Sequence, residues 1–288
     1  MAAPGSALIF LFSYVPMFGL ILAFKNFRYD KGIFGSDWCG LDNFKFFFTS
    51  QDAWRVTRNT LLLNIIFIVT ILIVSLAVAL VLYQITNRIF IKLYQTMIFV
   101  PYFLSMAVVA FVVYAFLNVD MGVVNNILKK LGLDPVMWYA RADLWPGLLT
   151  GINLWKNLGY YVLVYYAALM GLDAACFEAA EMDGATKWQT MVKIAIPMIA
   201  PVIIVMLLLQ IGKIFYSDFG LFYLVTRNSG SLYSTVDVID TYIFRALRVS
   251  GDIGVSAAVG MYQSVVGFVL VLISNLLVKR YDPDSALF

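Results

Sequence analysis

Residues 61–82 read LLLNIIFIVTILIVSLAVALVL, a run of mainly apolar side chains that contains no charged residue. An α-helix needs roughly 20 such residues to cross the hydrocarbon core of a bilayer. An isolated β-strand in the same place would leave its backbone hydrogen-bonding groups without partners in lipid. The stretch therefore predicts a transmembrane helix and decides the class of the protein.

The composition of the whole chain agrees with a membrane domain. Of its 288 residues, 62% are hydrophobic and 13% are charged. Soluble domains are usually about 45–50% apolar and about 25% charged. We therefore expect residues 1–288 to form a single integral membrane domain with an all-α, polytopic fold.

Five further apolar blocks flank this stretch, so the sequence predicts about six transmembrane helices. The first block lacks a basic n-region and a clear cleavage site, which favours a membrane helix over a signal peptide. The blocks run from about Gly5 to Phe24, Met97 to Leu117, Gly147 to Met170, Ile194 to Phe215 and Val255 to Val278.

Several classes of function are excluded by residue counts. The chain contains no histidine, which removes Ser-His hydrolysis, His-based metal sites and most general-base chemistry. It also lacks a G-x-x-x-x-G-K-[ST] motif, so we expect no P-loop ATP hydrolysis in this chain. The net charge of +3, without a long basic run, does not support nucleic-acid binding. Cys39 and Cys176 fall on opposite sides of the predicted membrane and are expected to stay unpaired.

The segment between the fourth and fifth blocks predicts two short helices that meet at a corner. Asp173 is a suitable N-cap for the first helix, and Gly184 can adopt the left-handed conformation that ends it. Thr186 and Gln189 form a capping box for the second helix. Local rules predict only a helical connection here, but small residues beside charges also permit a partner surface to approach closely.

The same segment resembles the EAA loop of ABC importer permeases, and we call residues 171–198 the EAA segment. The signature is Glu-Ala-Ala, three residues, Gly, nine residues, Ile, one residue and Leu-Pro, and here Ile196 replaces the Leu. The resemblance assigns coupling to an ATPase subunit to Glu178, Ala179, Ala180, Asp183, Gly184, Ala185, Ile194 and Pro197.

The resemblance covers nearly the whole chain and is to the polysaccharide and complex-oligosaccharide branch, which is maltose-permease-like. The stretches that carry it are Leu41–Phe44, Leu154–Tyr160, Ala167–Leu169 and Val238–Arg245. It implies the type I importer permease fold in the inner membrane, with a cytoplasmic EAA segment and oligosaccharide import by alternating access. Counts of Lys and Arg between the spans favour the opposite orientation, so the orientation rests on the resemblance.

The resemblance also implies the partners. They are a second homologous permease, two ATPase subunits that bind ATP and Mg²⁺, an external solute-binding protein and the sugar, all assembled in membrane lipid. This chain itself is expected to bind no cofactor and to be a transport subunit rather than an enzyme.

Polar side chains in the fourth and fifth spans predict a substrate pathway. Ionisable residues within membranes usually face the bundle interior or water, and tyrosines can stack on sugar rings. Snorkelling lysines and tyrosines packed at the membrane interface are the alternatives. The two lysines suggest an acidic sugar, such as one that contains uronic acid. The predicted pathway residues are Asn153, Lys156, Asn157, Tyr160, Gln210, Lys213 and Tyr216.

Three other functions stay open at this point. A membrane-embedded transferase needs an acid–base cluster within the spans, and these hold almost no carboxylates. A passive channel gives no reason for the EAA segment. The same machinery carrying another small solute, such as an amino acid or phosphate, is the main alternative.

Overall fold

A computed structural model describes residues 3–281 and shows a helical membrane protein. The helices are α1 (Ala3–Ile9), α2 (Gly32–Gly35), α3 (Asp42–Thr49), α4 (Gln51–Tyr83), α5 (Arg88–Phe99), α6 (Met106–Leu117), α7 (Val123–Lys130), α8 (Trp145–Met170), α9 (Ala174–Met182), α10 (Lys187–Thr190), α11 (Ile196–Met198), α12 (Ala200–Ile211), α13 (Tyr233–Val236), α14 (Ile239–Arg248) and α15 (Ile253–Tyr281). Two short strands, β1 (Lys25–Asn26) and β2 (Asp37–Trp38), pair antiparallel.

The prediction of about six spans agrees with this architecture. Three spans in the described part of the chain are long apolar helices: Pro4–Phe24, Gln51–Tyr83 and Ile253–Arg280. Up to three more are helix pairs bent by more than 40°, namely Arg88–Phe103 with Met106–Leu117, Ala142–Met170 with Ala174–Met182, and Lys187–Met198 with Ala200–Ile211.

The first span is irregular rather than a uniform α-helix. After α1, residues Phe10–Tyr14 form a π-helical turn and Val15–Phe24 form a 3₁₀-helix. Pro16 cannot donate a backbone hydrogen bond, and its ring clashes with the preceding turn. The proline therefore accounts for the change of helical geometry along this span.

Helices α4 and α8 form the centre of the molecule. Ser50 begins the 33-residue α4 by accepting a hydrogen bond from the Ala53 amide. One buried cluster joins Leu63 of α4 to Leu149 of α8, and a second joins Ala79 of α4 to Leu169 of α8. These apolar contacts hold the two helices side by side along most of their length.

The third span is broken, which corrects the prediction of one helix from Met97 to Leu117. Helix α5 continues into a 3₁₀ turn at Val100–Phe103, and α6 then departs at an angle of 99°. Pro101 lies in the 3₁₀ turn, where a proline disfavours continued α-helix. Ser105 begins α6 by accepting a hydrogen bond from the Val108 amide.

The break releases backbone carbonyls that need donors. The Lys156 ammonium of α8 donates to the carbonyl oxygen of Tyr102 at 3.1 Å and to that of Leu104 at 2.6 Å. Lys156 is 9% exposed. Unpaired backbone groups are costly inside a membrane, so this lysine stabilises the break.

A glycine one turn away lets the broken span approach α8. A Cβ atom on Gly159 would lie 2.5 Å from the carbonyl oxygen of Ile98 and 2.5 Å from the Cα of Phe99. Cβ atoms in proteins essentially never lie within 3.0 Å of such neighbouring atoms. The backbone of α5 therefore packs directly on α8 at Gly159.

A buried ion-pair network fixes α14 to α4. The Asp237 carboxylate is fully buried and contacts Arg55 of α4 at 3.1 Å and Arg245 of α14 at 2.6 Å. The Asn59 side chain donates to the backbone carbonyl of Asp237 at 3.1 Å. These contacts position the segment that connects the fifth and sixth spans.

Substitution of Gly159 by alanine tests the close packing of the broken span. We expect Gly159→Ala to destabilise the protein by about 1–3 kcal/mol, because overpacking forces the backbone of α5 away from α8. The measurement is thermal unfolding of the purified protein in detergent.

Gly151→Ala is the matched control on the same helix, since a Cβ there meets no atom within 4 Å. Alanine favours helix over glycine, so this control should hold or raise the unfolding temperature. Equal unfolding temperatures for the two variants would contradict the packing argument.

Candidate substrate cavity and EAA segment

A cavity of about 620 Å³ lies among α4, α8, α12 and the turn that follows α12. Ligand sites usually have volumes of about 300–1,000 Å³. Six of the seven predicted pathway residues line it: Asn153, Asn157, Tyr160, Gln210, Lys213 and Tyr216. Lys156 is the exception, because its ammonium is turned to the break in the third span.

Tyrosine rings form one wall of the cavity. Tyr160 stacks on Tyr102 with ring centroids 5.4 Å apart and planes 13° from parallel. Tyr161 meets Tyr160 edge-on at 5.2 Å. Such a wall offers both flat apolar faces and hydroxyl groups to a ligand.

Sequence reasoning missed several residues of the cavity. Asn64 is the only amide side chain in the apolar run of residues 61–82, and this exception was a usable signal. Tyr102 reaches the cavity because the third span breaks beside it, which the sequence did not indicate. The missed polar and aromatic lining residues are Asn64, Phe67, Tyr102, Ser217 and Asp218.

The fifth span ends earlier than predicted, and its end shapes the cavity. Helix α12 stops at Ile211 rather than Phe215. The Asn64 side chain donates to the carbonyl of Ile214 at 2.9 Å and to the Ser217 hydroxyl at 3.2 Å. The tertiary contacts of α4 therefore hold the turn that carries Lys213 into the cavity.

A half-buried carboxylate, that of Asp240, holds the same turn from the other side. Asp240 accepts a hydrogen bond from the Ser217 amide at 2.8 Å and others from the Gln263 side chain at 3.1 Å. Burial raises the pKa of the Asp240 carboxyl, while the hydrogen bonds from Ser217 and Gln263 oppose this. The turn is therefore tied to both α14 and α15.

One donor in the cavity is available to a ligand. The Gln210 amide nitrogen has no hydrogen-bond partner among residues 3–281, but this atom is buried and not accessible to a ligand. The Lys213 side chain forms no hydrogen bond or ion pair with any residue between 3 and 281. By contrast, the Asn157 amide already donates to the Asn153 side chain at 2.8 Å. The arrangement suits a ligand that carries hydroxyl groups and a negative charge.

The EAA segment folds as the two short helices that its sequence predicts. Asp173 caps α9 through the Ala175 amide, and Thr186 and Gln189 form the capping box of α10. Gly184 has φ +78°, the left-handed conformation expected at the corner. The Ala185 amide donates to the carbonyl of Ala180 at 2.9 Å, which closes the end of α9.

The predicted coupling residues divide into an exposed face and an anchoring face. Ala180 is buried, and Ala185 and Ile194 are half-buried. The exposed members are Glu178, Ala179, Asp183, Gly184 and Pro197. Two large apolar residues that the sequence prediction omitted extend this exposed face: Met182 is 89% exposed and Trp188 is 73% exposed.

The anchoring face packs on the helices that line the cavity. The Phe177 ring lies 5.6 Å from the Tyr83 ring at the end of α4. Met191 and Ile199 share a buried cluster with Leu169 of α8. The EAA segment is therefore in direct contact with α4 and α8, and it leads into α12.

Comparisons with known proteins bear on the family and the fold of the chain. A family model described as "Binding-protein-dependent transport system inner membrane component" matches residues 71–283. Protein LplB of Bacillus subtilis (strain 168) is 34% identical over 282 residues, which cover 98% of this chain and 88% of LplB. The polygalacturonan/rhamnogalacturonan transport system permease protein YteP of the same organism is 32% identical, over 99% of this chain and 88% of YteP.

Two crystal structures contain similar chains. One is a bacterial alginate ABC transporter in complex with an alginate pentasaccharide-bound periplasmic protein; the TM-score is 0.88 at 32% identity, covering 98% of this chain and 93% of that chain. The other is a bacterial ABC transporter involved in the import of the acidic polysaccharide alginate, with a TM-score of 0.89 at 33% identity, covering 97% and 93%. The chain therefore belongs to the family of inner membrane components of binding-protein-dependent transport systems.

Proposed function

We propose that this permease subunit carries an acidic oligosaccharide through the 620 Å³ cavity of an ATP-driven importer. The observation that carries the proposal is the cavity wall, which combines stacked tyrosines with an unpaired ammonium. The relatives support the substrate class, because YteP is named for polygalacturonan and rhamnogalacturonan and the similar structures for alginate.

The cavity chemistry fits a uronate-containing sugar. The stacked pair of Tyr102 and Tyr160 offers aromatic surface to pyranose rings. Lys213 lines the cavity and has no ion-pair partner among the described residues, so it pairs with a carboxylate of the substrate. Charge-assisted hydrogen bonds of this kind are roughly twice as strong as neutral ones.

The EAA segment supplies the coupling to ATP. Its exposed face, with Met182 and Trp188 beside Gly184, docks on a cytoplasmic ATPase subunit. ATP and Mg²⁺ bind to that subunit and close the ATPase pair. Because the segment packs on α4 and α8, its displacement moves the cavity walls as rigid bodies and alternates access between the two sides.

The full importer needs partners that complete the pathway. A second homologous permease supplies the other half of the cavity, and two ATPase subunits supply the energy. An external binding protein delivers the sugar. Sugar binding alone does not drive the cycle, because a ligand with equal affinity for the two conformational states of the transporter shifts no equilibrium between them. ATP is therefore required.

Replacement of Lys213 by glutamine tests the acidic specificity. We expect Lys213→Gln to weaken binding of a uronate oligosaccharide to the assembled transporter about tenfold, since one charge-assisted contact is lost. Binding of the carboxyl-reduced oligosaccharide should not change. Calorimetry on the transporter in lipid nanodiscs, without the binding protein, measures both affinities.

Lys130→Gln is the control, because this exposed lysine ends α7 and lies outside the cavity. This variant should bind the uronate oligosaccharide and the carboxyl-reduced oligosaccharide with the affinities of the wild type. An unchanged affinity of Lys213→Gln for the acidic sugar would argue against a charge-paired site.

Replacement of Gly184 tests docking of the EAA segment. Asparagine tolerates positive φ, so Gly184→Asn should fold and reach the membrane while adding a side chain at the docking face. We expect ATP-dependent uptake into proteoliposomes to fall by at least about tenfold, with less ATPase subunit copurified, because the close approach is blocked.

The matched control is Gly132→Asn, at φ +76° with nothing within 4 Å of the added Cβ. This control should transport normally, since it carries the same change in a loop away from the EAA segment. Wild-type uptake by Gly184→Asn would refute the docking role.

A further inference from the structure

A second cavity, of about 580 Å³, shares no lining residue with the first. Ala107, Phe111 and Tyr114 of α6 form one side, and Tyr223, Arg227 and Asn228 form the other. Phe111 is 77% exposed. The cavity therefore combines aromatic surface, an amide and one cation in a space large enough for a ligand.

The backbone at Arg227 and Asn228 is unusual. Their φ angles are +57° and +48°, and no other non-glycine residue between 3 and 281 has a positive φ. This conformation is unfavourable for side chains other than those of Asn and Asp. Strain of this kind persists where the surrounding structure imposes it and is concentrated at ligand sites.

Neighbouring contacts impose the conformation. The backbone amide of Asn228 donates to the carbonyl of Tyr223 at 3.0 Å, and the backbone amide of Arg227 donates to the carbonyl of Leu224 at 3.2 Å. The Tyr233 hydroxyl donates to the Asn228 side chain at 2.9 Å. These bonds fix the backbone from which the Arg227 side chain extends.

The Arg227 guanidinium is oriented but has no anionic partner. It lies 4.0 Å from the centroid of the Tyr114 ring, and no hydrogen bond or ion pair of its side chain occurs within the described part of the chain. Burial raises the pKa of Tyr139 to about 12, although the charge of Arg227 opposes this increase. The Tyr139 phenol therefore stays neutral. By contrast, the Arg245 guanidinium is paired with Asp237.

We propose that this second cavity is an additional binding site for the acidic oligosaccharide, in which Arg227 pairs with a uronate carboxylate. The planar guanidinium matches a carboxylate with two parallel hydrogen bonds, and Tyr223 and Phe111 offer apolar faces to the sugar rings. The inference rests on the proposed function, because it takes the same class of substrate.

The position of the site gives it a place in transport. The EAA segment lies between the fourth and fifth spans, whereas Arg227 lies between the fifth and sixth, so the two face opposite sides of the membrane. With the EAA segment in the cytoplasm, Arg227 faces outward. Asp218 of the first cavity and Tyr223 of the second lie on one continuous segment. The second site therefore receives the sugar before the first.

Arg227→Asn tests the site, because asparagine accepts the left-handed backbone while the guanidinium is removed. The probes are alginate pentasaccharide and its carboxyl-reduced counterpart, titrated into the assembled transporter in nanodiscs without the binding protein. We expect the Kd for the acidic probe to rise about tenfold and the Kd for the neutral probe to stay unchanged.

Arg248→Asn is the matched control, since it removes an exposed arginine at the end of α14 and should change neither Kd. Equal changes for both probes, or no change for either, would overturn the assignment of Arg227 to a carboxylate. If the wild type neither binds nor imports an acidic oligosaccharide, the proposed function itself fails. If Lys213→Gln loses acidic preference and Arg227→Asn does not, only the second site is rejected.

Discussion

The architecture depends on the hydrogen bonds from the Lys156 ammonium to the carbonyls of Tyr102 and Leu104. A membrane helix can break only where its released backbone groups find partners, and α8 supplies that partner. One turn away, Gly159 lets the backbone of α5 lie against α8. Because the break is held there, Tyr102 stacks on Tyr160 and forms the aromatic wall of the cavity.

Five of the positive charges divide into two groups by environment. Lys156, Arg55 and Arg245 are engaged with carbonyls or with Asp237 and hold the helices together. Lys213 and Arg227 line cavities and contact no carboxylate within the described residues. Cations that the protein leaves unpaired beside aromatic surface are suited to an anionic sugar, whereas the paired cations have a structural role. In the proposed mechanism the EAA segment connects this chemistry to ATP hydrolysis on a partner subunit, and its anchoring face contacts the same helices.

Much of the fold was predictable, because membrane spans depend on local hydropathy. The apolar run of residues 61–82 specifies a helix by itself, since lipid allows no isolated strand there. The two helices of the EAA segment were also predictable, because Asp173, Gly184, Thr186 and Gln189 act on backbone groups only two or three residues away. Most polar side chains of the first cavity were predictable too, since polar groups within apolar spans avoid lipid.

The sequence by itself determined the helical membrane class, the number of spans, the corner of the EAA segment and six residues of the cavity, because each depends on short-range patterns. Only the tertiary structure decided that the third span breaks, that Lys156 stabilises the break rather than lining the cavity, and that α12 ends at Ile211. It also decided that Arg227 stacks on Tyr114 and contacts no carboxylate in the part of the chain that the structure describes. These features depend on contacts between residues 50 to 150 positions apart. A proline such as Pro101 indicates where a helix can break, but it does not reveal which distant donor will bind the released carbonyls.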